Sequence, residues 1–385
     1  MEVLYPDCRD ALSANLQDNS PQLVKLLKGL KTESTGVAGW LVGFANTDKV
    51  VFYNHAHMLT YSITHRRFLS AIDLTSIDAG HIQGSIVTNF SFSPSGDYVV
   101  INNGLAENQS SWQGKMYLAN LRDGSILEIG AANHYQIKDS WSSGSSYYAF
   151  AANDGTDVTV YSVLSGSKES IIFGQGKVSG LSVTDKGDLV LETNNIFLSL
   201  KESGYHWQNL DLKGDILAVS ELGIVYYEGN SVRQYRIGSG EDTVLSNLPE
   251  RFELRGTSRG QAVFTPKKDS ASSASMVYNV TENRLYSYAY TYDSPPWLLD
   301  WSFSPDCKHC VVLDGDSYRV MDNQGKEEKI QTTKNRVNYR CAWANNTTFI
   351  DVLLTGDEVG LMAAGDFAIV VYDLQDKQRK ILYEQ

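Results

Sequence analysis

The chain has 385 residues, a formal net charge of −12 and a hydrophobic content of 42%. This hydrophobic content is that of a folded globular protein and excludes a disordered or fibrous chain. The acidic charge disfavours a general binder of nucleic-acid backbones, which needs a basic surface, so we predict no nucleic-acid partner. Since a single core usually stops growing by about 300 residues, the length predicts two domains or a repeat architecture.

The first 36 residues differ in pattern from the rest of the chain. Ser20 is a candidate N-cap, and Pro21 takes the first helical position. Four leucines then share one helix face: Leu23, Leu26, Leu27 and Leu30. The pattern predicts a short amphipathic helix within residues 8–30. We interpret residues 1–36 as a helical extension that either caps the following domain or docks a partner.

Targeting features are missing from the amino-acid pattern. The opening sequence MEVLYPDCRDALS has no basic region followed by an apolar run, so we predict no secretion signal. No stretch approaches the ~18 apolar residues of a membrane span. The four cysteines are too few for a disulfide framework in a chain of this size. We therefore predict a cytoplasmic location and no membrane partner.

One short phrase recurs from residue 37 onward. FSFSPSGDYVV begins at Phe90, and WSFSPDCKHCVV begins at Trp301. Aligned on the residue that opens the central turn, eight copies occur, at Ala45, Ser93, Ser142, Thr184, Ser220, Ser258, Ser304 and Ala344. Their mean spacing of about 43 residues is typical of four-stranded blade repeats. The alignment predicts that Ser93 and Ser304 occupy equivalent turns, each after the innermost strand of a blade.

Further strand-like runs follow each copy of the phrase. KMYLANL and SILEIG follow the second copy and are joined by RDG, a link typical of hairpins. One four-stranded antiparallel unit cannot cover both of its faces, whereas radial stacking of such units does. The sequence therefore predicts an all-β chain with a β-propeller over residues 37–385. We expect about eight four-stranded antiparallel blades, with seven as the alternative because the copy from Tyr339 is irregular.

The recurring phrases resemble those of the WD40-like β-propeller superfamily. FSFSPSGDY and WSFSPD are similar to its first-to-second-strand signature. VVYDL at Val370–Leu374 and MVYNV at Met276–Val280 are similar to its Trp-Asp position, with Tyr in place of Trp. The resemblance covers roughly residues 37–385 and implies the fold. The chain departs from the family pattern because no literal Trp-Asp ends a third strand.

Three short motifs match patterns of chemical sites. GTSRG at Gly256–Gly260 fits the nucleophile elbow, but that elbow needs a strand-to-helix turn, and here we predict a strand-to-strand turn. CKHC at Cys307–Cys310 has the spacing of a zinc half-site but needs a second pair of ligands, and a buried Cys310 is the simpler interpretation. His55 and His57 also lack further ligands. We predict no catalytic residue, no metal and no cofactor.

The starts of the innermost strands would line a central channel. Five polar residues fall there: Asn89, Lys138, Asp139, Asp300 and Arg340. Their mixed charges favour a polar ring that satisfies itself over a metal site, which would need several oxygen ligands together. This ring is the basis of the alternative function, a propeller enzyme of hydrolase or lyase type with a polar or metal site in the channel.

Long polar connections are predicted at one end of the blades. Residues 102–114, 266–275 and 289–298 link strands that need only tight turns, and loops on a rigid scaffold often carry function. Four aromatic residues in these connections are candidate partner anchors: Trp112, Tyr290, Tyr292 and Trp297. The main hypothesis is a non-enzymatic scaffold that binds a protein or peptide partner through this long-loop face.

Overall fold

The computed structural model describes residues 2–3, 7–8, 41–53, 57–74, 77, 85–106, 112–132, 137–152, 157–249, 252–258, 260–267, 274–288, 303–314, 317–331, 336–355 and 366–384. These residues form eight four-stranded antiparallel blades of a β-propeller, which confirms the predicted all-β class and the count of eight. Helical structure within the described ranges includes a 3-10 turn at Lys201–Ser203. Of the N-terminal helix predicted within residues 8–30, all but Cys8 lies outside the described residues.

The chain divides into two compact units. The central unit, Leu74–Glu250, holds blades 2 to 5, and the terminal unit, Met1–Asp73 with Arg251–Gln385, holds blades 1, 6, 7 and 8. The strands of the central unit are β7 (Ser85–Phe92), β8 (Tyr98–Ala106), β9 (Trp112–Asn120) and β10 (Ile126–Ala132) in blade 2; β11 (Lys138–Trp141), β12 (Tyr147–Ala152), β13 (Asp157–Ser162) and β14 (Lys168–Ile172) in blade 3; β15 (Gly180–Val183), β16 (Leu189–Glu192), β17 (Ile196–Ser199) and β18 (Trp207–Asn209) in blade 4; and β19 (Asp215–Ser220), β20 (Gly223–Glu228), β21 (Ser231–Arg236) and β22 (Asp242–Asn247) in blade 5.

The terminal unit follows the same plan. Its strands are β3 (Leu41–Phe44), β4 (Lys49–Tyr53), β5 (His57–Ser62) and β6 (Arg67–Asp73) in blade 1; β23 (Phe252–Ser258), β24 (Gln261–Pro266), β25 (Ser275–Asn279) and β26 (Arg284–Tyr288) in blade 6; β27 (His309–Asp314), β28 (Ser317–Asp322) and β29 (Glu327–Gln331) in blade 7; and β30 (Arg336–Trp343), β31 (Thr348–Thr355), β32 (Asp366–Asp373) and β33 (Gln378–Glu384) in blade 8. In blade 7, Phe303 bridges Cys310 and marks the position of the first strand.

The first strand of each blade is the innermost one, since first strands of successive blades contact one another: β11 with β15, β15 with β19, and β30 with β3. Second strands are buried on both faces, as the run Leu189–Leu191 shows. Outermost strands are more exposed than second strands, and Lys168–Ile172 exposes four of its five residues. Second strands are more buried because neighbouring blades cover both of their faces. Their sequences are therefore continuous apolar runs. Apolar clusters between blades, such as the one around Tyr148 and Phe150, form the core.

Two short strands from the N-terminus add to outermost strands of the terminal unit. β1 (Glu2–Val3) pairs in parallel with β29, and β2 (Asp7–Cys8) pairs in parallel with β33. The sequence did not predict these additions, because a two-residue strand has no periodicity of its own. Cys8, where the predicted helical segment begins, is therefore in a strand.

The recurring turn is built around a buried hydroxyl. Ser93 Oγ accepts a hydrogen bond from the Tyr98 backbone N–H at 3.0 Å, and Ser304 Oγ accepts one from the His309 N–H at 3.0 Å. Both serines are fully buried, and both follow the position of a first strand. The predicted equivalence of Ser93 and Ser304 is confirmed. In blades 1 and 8, where the aligned residue is Ala, the side-chain oxygens of Asn46 and Asn345 accept the turn N–H groups instead.

Replacing Ser142 by Ala tests this role of the hydroxyl. Ser142 is fully buried, and its Oγ accepts the N–H groups of Ser146 and Tyr147, each at 3.0 Å. The variant would leave these donors unpaired, so we expect chemical denaturation to show a loss of about 1–3 kcal/mol in the free energy of unfolding. Ser165→Ala, at an exposed hairpin end of the same blade, should change it by less than about 0.5 kcal/mol. Equal effects of the two variants would contradict a capping role.

Candidate partner-binding surface and inner-strand polar residues

The hairpin ends of the blades are tied to one another by polar contacts. In the central unit, Ser95 N–H donates to Ser145 Oγ at 2.9 Å, and Ser143 Oγ donates to Asp185 at 2.6 Å. Burial raises the pKa of Asp185, but donation from Ser142, Ser143 and the Gly144 N–H outweighs this and lowers it. The carboxylate therefore stays charged and joins blades 3 and 4.

The terminal unit shows the same link between successive turns. Gln261 Nε2 donates to the Ser304 carbonyl at 2.7 Å, joining blades 6 and 7. The Asp306 N–H donates to Asn346 Oδ1 at 3.1 Å, joining blades 7 and 8. In both units, polar groups of the hairpin ends are thus engaged with one another, which makes this end rigid.

The opposite end of the terminal unit carries the long connections. Residues 267–274, 289–302 and 356–365 link β24 to β25, β26 to blade 7 and β31 to β32. They contain eight, fourteen and ten residues, whereas the hairpin ends of the same unit contain four or fewer between described strands. Blades 1 and 7 have short second-to-third connections of three and two residues, so the elaboration is confined to particular blades. We call these three connections the long-loop face.

Of the four predicted anchor residues, one lies in a strand and three lie outside the described residues. Trp112 begins β9 and pairs with Ala106, so the loop in blade 2 is 107–111, and the predicted loop 102–114 was wrong. The hydrogen-bond ladder between β8 and β9 continues beyond Asn102 because it depends on main-chain groups. Within it, Gly104 and Gly114 lie directly opposite each other. Asn102 is a buried strand residue, 2% exposed, whereas its polarity had indicated a loop. Three anchors lie outside the described residues: Tyr290, Tyr292 and Trp297.

Four of the five predicted ring residues lie in described innermost strands. Asn89 is in β7, Lys138 and Asp139 are in β11, and Arg340 is in β30. Asp300 lies outside the described residues. Lys138 and Asp139 are adjacent along one strand of the central unit, and Arg340 belongs to the terminal unit. Lys138 and Asp139 open their strand, as predicted, whereas Asn89 and Arg340 are each the fifth residue of theirs, and the ring itself stays a prediction.

Asp139 is anchored between blades 2 and 3. Tyr148 OH donates to Asp139 Oδ2 at 3.0 Å, and the indole N–H of Trp141 donates to the Ser91 carbonyl at 3.1 Å. Burial raises the pKa of Asp139 despite hydrogen bonds with Ser91 and Tyr148. Burial, and after it the charge of this carboxyl, raises the pKa of Tyr148. This carboxyl therefore has a structural role in joining two blades.

Glu192 is an inner polar residue that the sequence interpretation missed. It ends β16 and pairs in register with Gly180 of the innermost strand β15. A Cβ on Gly180 would lie 2.9 Å from Glu192 Oε2, so the glycine makes room for the carboxylate. Burial raises the pKa of Glu192, and Asp215 raises it further, while the Ile216 N–H, Ser179 and Lys138 lower it. A glycine at an innermost-strand start, opposite an acidic residue, was the signal in the sequence.

A buried charged group was also missed, in blades 7 and 8. Asp351 in β31 is fully buried, and Arg379 in β33 is 4% exposed. Burial raises the pKa of Asp351 to about 7, against a hydrogen bond with Tyr318 and the charge of Arg379. Sequence reasoning missed the pair because an Asp and an Arg separated by 28 positions give no local pattern.

The described residues of the three short motifs lie in strands, in turns or in the apolar core. Cys307 and Cys310 are buried in an apolar cluster, and Tyr288 OH donates to the Cys307 carbonyl at 2.6 Å. Burial raises the pKa of Cys307 to about 12, so the thiol is protonated at neutral pH. GTSRG joins β23 to β24, as predicted, and His57 begins β5. His55 lies outside the described residues.

The described residues contain neither a cluster of metal ligands nor a membrane-spanning helix. No group of three or more His, Cys, Asp or Glu side chains that could hold a metal ion was found among them. Within the same part of the chain, no helix has the length and apolar character that crossing a membrane requires.

Comparison with known proteins finds distant similarity to solved structures. No family model and no curated protein matches the chain. Among solved structures, Hsv2 of Kluyveromyces lactis is 11% identical over 78% of this chain and 98% of that chain, with a TM-score of 0.47. The C-terminal WD40 domain of Sif2 is 11% identical over 82% and 96%, with a TM-score of 0.48. The dihydro-heme d1 dehydrogenase NirN is 12% identical over 89% and 72%, with a TM-score of 0.47. The eight four-stranded blades themselves establish that the chain has a β-propeller fold.

Proposed function

We propose that the chain is a non-enzymatic scaffold that binds a protein or peptide partner through the long-loop face of its terminal unit. The supporting observation is the difference between the two ends of blades 6 to 8. One end closes in turns of five residues or fewer, some tied to the next blade, whereas eight to fourteen residues separate the described strands at the other end. Long connections on a rigid frame are the usual place for recognition.

The residue types of one connection fit an interface. Residues 289–298 contain Tyr290, Tyr292 and Trp297 within ten positions. Tyrosine and tryptophan are enriched among the few residues that dominate binding energy, where they stand within a polar rim. The connection at 267–274 supplies Lys, Asp and Ser residues suited to such a rim.

The double variant Tyr292→Ala with Trp297→Ala tests the long-loop face. We expect it to weaken partner binding by about 2 kcal/mol or more, since truncating anchors of this kind costs that much. The melting temperature should change little, because the role proposed for these residues is in binding and not in the core. Partners captured by the immobilised wild-type chain would be identified, and their affinities for both chains measured after purification.

Leu164→Ala is the matched control for this variant. Leu164 is 96% exposed at a hairpin end of blade 3 and is not part of the long-loop face. Its truncation should change neither binding nor the melting temperature. A double variant that binds every partner normally, or that melts as early as a core variant, would show that these aromatics are structural.

A second candidate function is an enzyme with a polar or metal site lined by innermost strands. The observation in its favour is Glu192, a partly buried carboxyl with a raised pKa whose charge interacts with Asp215 and Lys138. Perturbed carboxyls of this kind are common at functional sites. Calcium and zinc titrations of the wild-type chain and Glu192→Gln would test it. Stoichiometric binding that the variant loses would favour an enzyme, and no binding would favour the scaffold.

A further inference from the structure

The turns between third and fourth strands share one backbone requirement. Each of the eight places a residue in the left-handed region, with φ between 50° and 83°. Glycine adopts this conformation freely and asparagine tolerates it, whereas other L-residues are strained in it. Blades 1 and 8 place a long cationic side chain there, and every other blade has glycine or asparagine at such a position. The residues are Arg66, Gly124, Gly166, Gly204, Gly240, Asn283, Gly325 and Lys377.

The two cationic residues differ in what they contact. Lys377 forms an ion pair with Glu328 of β29, so its charge is engaged within the chain. In the described part of the chain, the guanidinium groups of Arg66 and its neighbour Arg67 have no hydrogen-bond or ion-pair partner. Both arginines are exposed. The strain at Arg66 is therefore not offset by a contact among the described residues, and strained backbone of this kind is concentrated at functional positions.

The turn that carries these arginines is held by the first turn of blade 1. Asp48, between β3 and β4, accepts the Thr64 N–H at 2.7 Å and the Ser62 hydroxyl at 3.0 Å. Burial raises the pKa of Asp48, but donation from Thr64 and Ser62 outweighs this and lowers it. Ser62 Oγ also lies 3.0 Å from His65 Nδ1. Because the Ser62 hydroxyl donates to Asp48, His65 Nδ1 is the donor of this second bond, which fixes the imidazole ring.

The strand that follows the turn is fixed in the core. Arg67 begins β6, with Ser62 as its register partner. The next residue, Phe68, is 3% exposed and packs edge-on against Tyr61 with ring centroids 5.2 Å apart. Both rings belong to the apolar cluster shared by blades 1 and 8. We call His65, Arg66 and Arg67 the basic turn, which is a rigid support for three nitrogen-rich side chains.

The chemistry of the basic turn favours a compact anion of high charge. Guanidinium groups bind phosphate oxygens through paired hydrogen bonds, and a phosphomonoester offers three acceptor oxygens and a charge of about −1.5 to −2. The whole chain carries −12, which repels broad anionic surfaces such as a membrane or a nucleic acid. A phosphate group is small enough to meet the turn alone, since exposed charges more than about 8 Å away are largely screened at physiological salt.

We propose that the basic turn binds a phosphorylated serine or threonine of a partner protein. Arg66 and Arg67 donate to the phosphate oxygens, and protonated His65 supplies a third donor through Nε2. Recognition of phosphorylated segments by clustered arginines is a recurring mode of peptide binding. The basic turn is at the hairpin end of blade 1, and the long-loop face is at the other end of the terminal unit. Its test is therefore independent of the function proposed above.

The test measures retention of the full chain on beads that carry a phosphoserine peptide with randomised uncharged flanking positions. Beads with the same peptides and unmodified serine are the reference, and we expect at least tenfold more chain on the phosphoserine beads. Arg66→Gly should lower retention at least fivefold while the melting temperature stays unchanged or rises, because glycine relieves the left-handed strain. Arg67→Gln should also lower retention at least fivefold. Equal retention on the two kinds of bead, or a melting temperature that falls together with retention, would overturn the proposal.

Lys326→Gln is the matched control, since Lys326 is an exposed cationic residue in the corresponding turn of blade 7. It should be retained like the wild-type chain, and a loss equal to that of Arg66→Gly would overturn the assignment to the basic turn. Excess inorganic phosphate should release the wild-type chain from the beads, whereas chloride at the same ionic strength should not. Equal release would overturn specific recognition of phosphate.

Vesicles containing phosphatidic acid distinguish a lipid source from a protein source, because their headgroup is also a phosphomonoester. We expect the wild-type chain to stay in the supernatant after sedimentation of these vesicles, as with vesicles of phosphatidylcholine alone. Sedimentation with phosphatidic acid that Arg66→Gly abolishes would overturn the assignment to a partner protein.

Discussion

Replacing Arg379 by Leu is expected to lower the free energy of unfolding by about 3 kcal/mol, because it leaves the carboxylate of Asp351 without its cationic neighbour. Asp351 is fully buried and Arg379 nearly so, so water does not compensate for the loss. Arg122→Leu is the matched control. Arg122 lies 2.6 Å from Asp97, but its side chain is 71% exposed, so its loss should have little effect. Urea unfolding monitored by tryptophan fluorescence would measure both variants, and similar effects would contradict the role of burial.

Asp351 also predicts the sign of a pH dependence. Its pKa of about 7 in the folded chain is above the ordinary value of 3.8, so the folded state binds more protons between these values. The contribution of this group to stability therefore decreases as pH rises from about 4 to about 7 and is constant above that. Asp351→Asn should remove this slope, so the difference in unfolding free energy between variant and wild type should move in favour of the variant over the same range. A difference independent of pH would show that Asp351 is charged throughout.

Replacing Gly214 by Ala is expected to cost at least about 3 kcal/mol of unfolding free energy, through strain and steric conflict together. Gly214 precedes β19 with a φ of 128°, which L-residues rarely adopt. A Cβ there would lie 2.1 Å from the Tyr227 carbonyl oxygen, which is main chain held in β20 and cannot move aside. We expect a strong decrease in melting temperature, or insoluble protein.

Gly238→Ala separates the two causes. Gly238 lies in the same blade with a φ of 97°, and a Cβ there would meet no atom within 4 Å. This variant has the conformational strain without the collision, and we expect a cost of about 1–2 kcal/mol. If both variants lose the same stability, close approach of the backbone at Gly214 is not the reason for glycine at that position.

The repeat was predictable because its signal is local. A buried hydroxyl that accepts N–H groups four or five residues later needs Ser or Thr at one place in a short turn, as Ser93, Ser142 and Thr184 show. Eight aligned turns in the sequence, six of them with Ser or Thr at this place, therefore predicted eight blades and the strands on either side. The strand assignments of Lys138 and Arg340 followed from the same alignment.

The sites were less predictable, for two physical reasons. Loop boundaries depend on main-chain pairing, which side-chain polarity does not report, and Trp112 entered a strand for this reason. Polar residues were assigned to the interior by their place on the innermost strand alone. The carboxyl of Glu192 lies against Gly180 of the neighbouring strand. This position follows from the pairing register of the two strands and not from the place of Glu192 in the sequence.

The sequence by itself determined the all-β class, the number of blades and the position of each recurring turn, because these follow from contacts between residues a few positions apart. Only the tertiary structure decided the burial of Asp351 within reach of the charge of Arg379, and the addition of residues 2–3 and 7–8 to the outermost strands of blades 7 and 8. Asp7 and Arg379 are separated by nearly the whole chain and become register partners only when the strands assemble. Burial then sets the charge of Asp351, since the cost of an ion in the interior depends on what surrounds it and not on its neighbours in sequence.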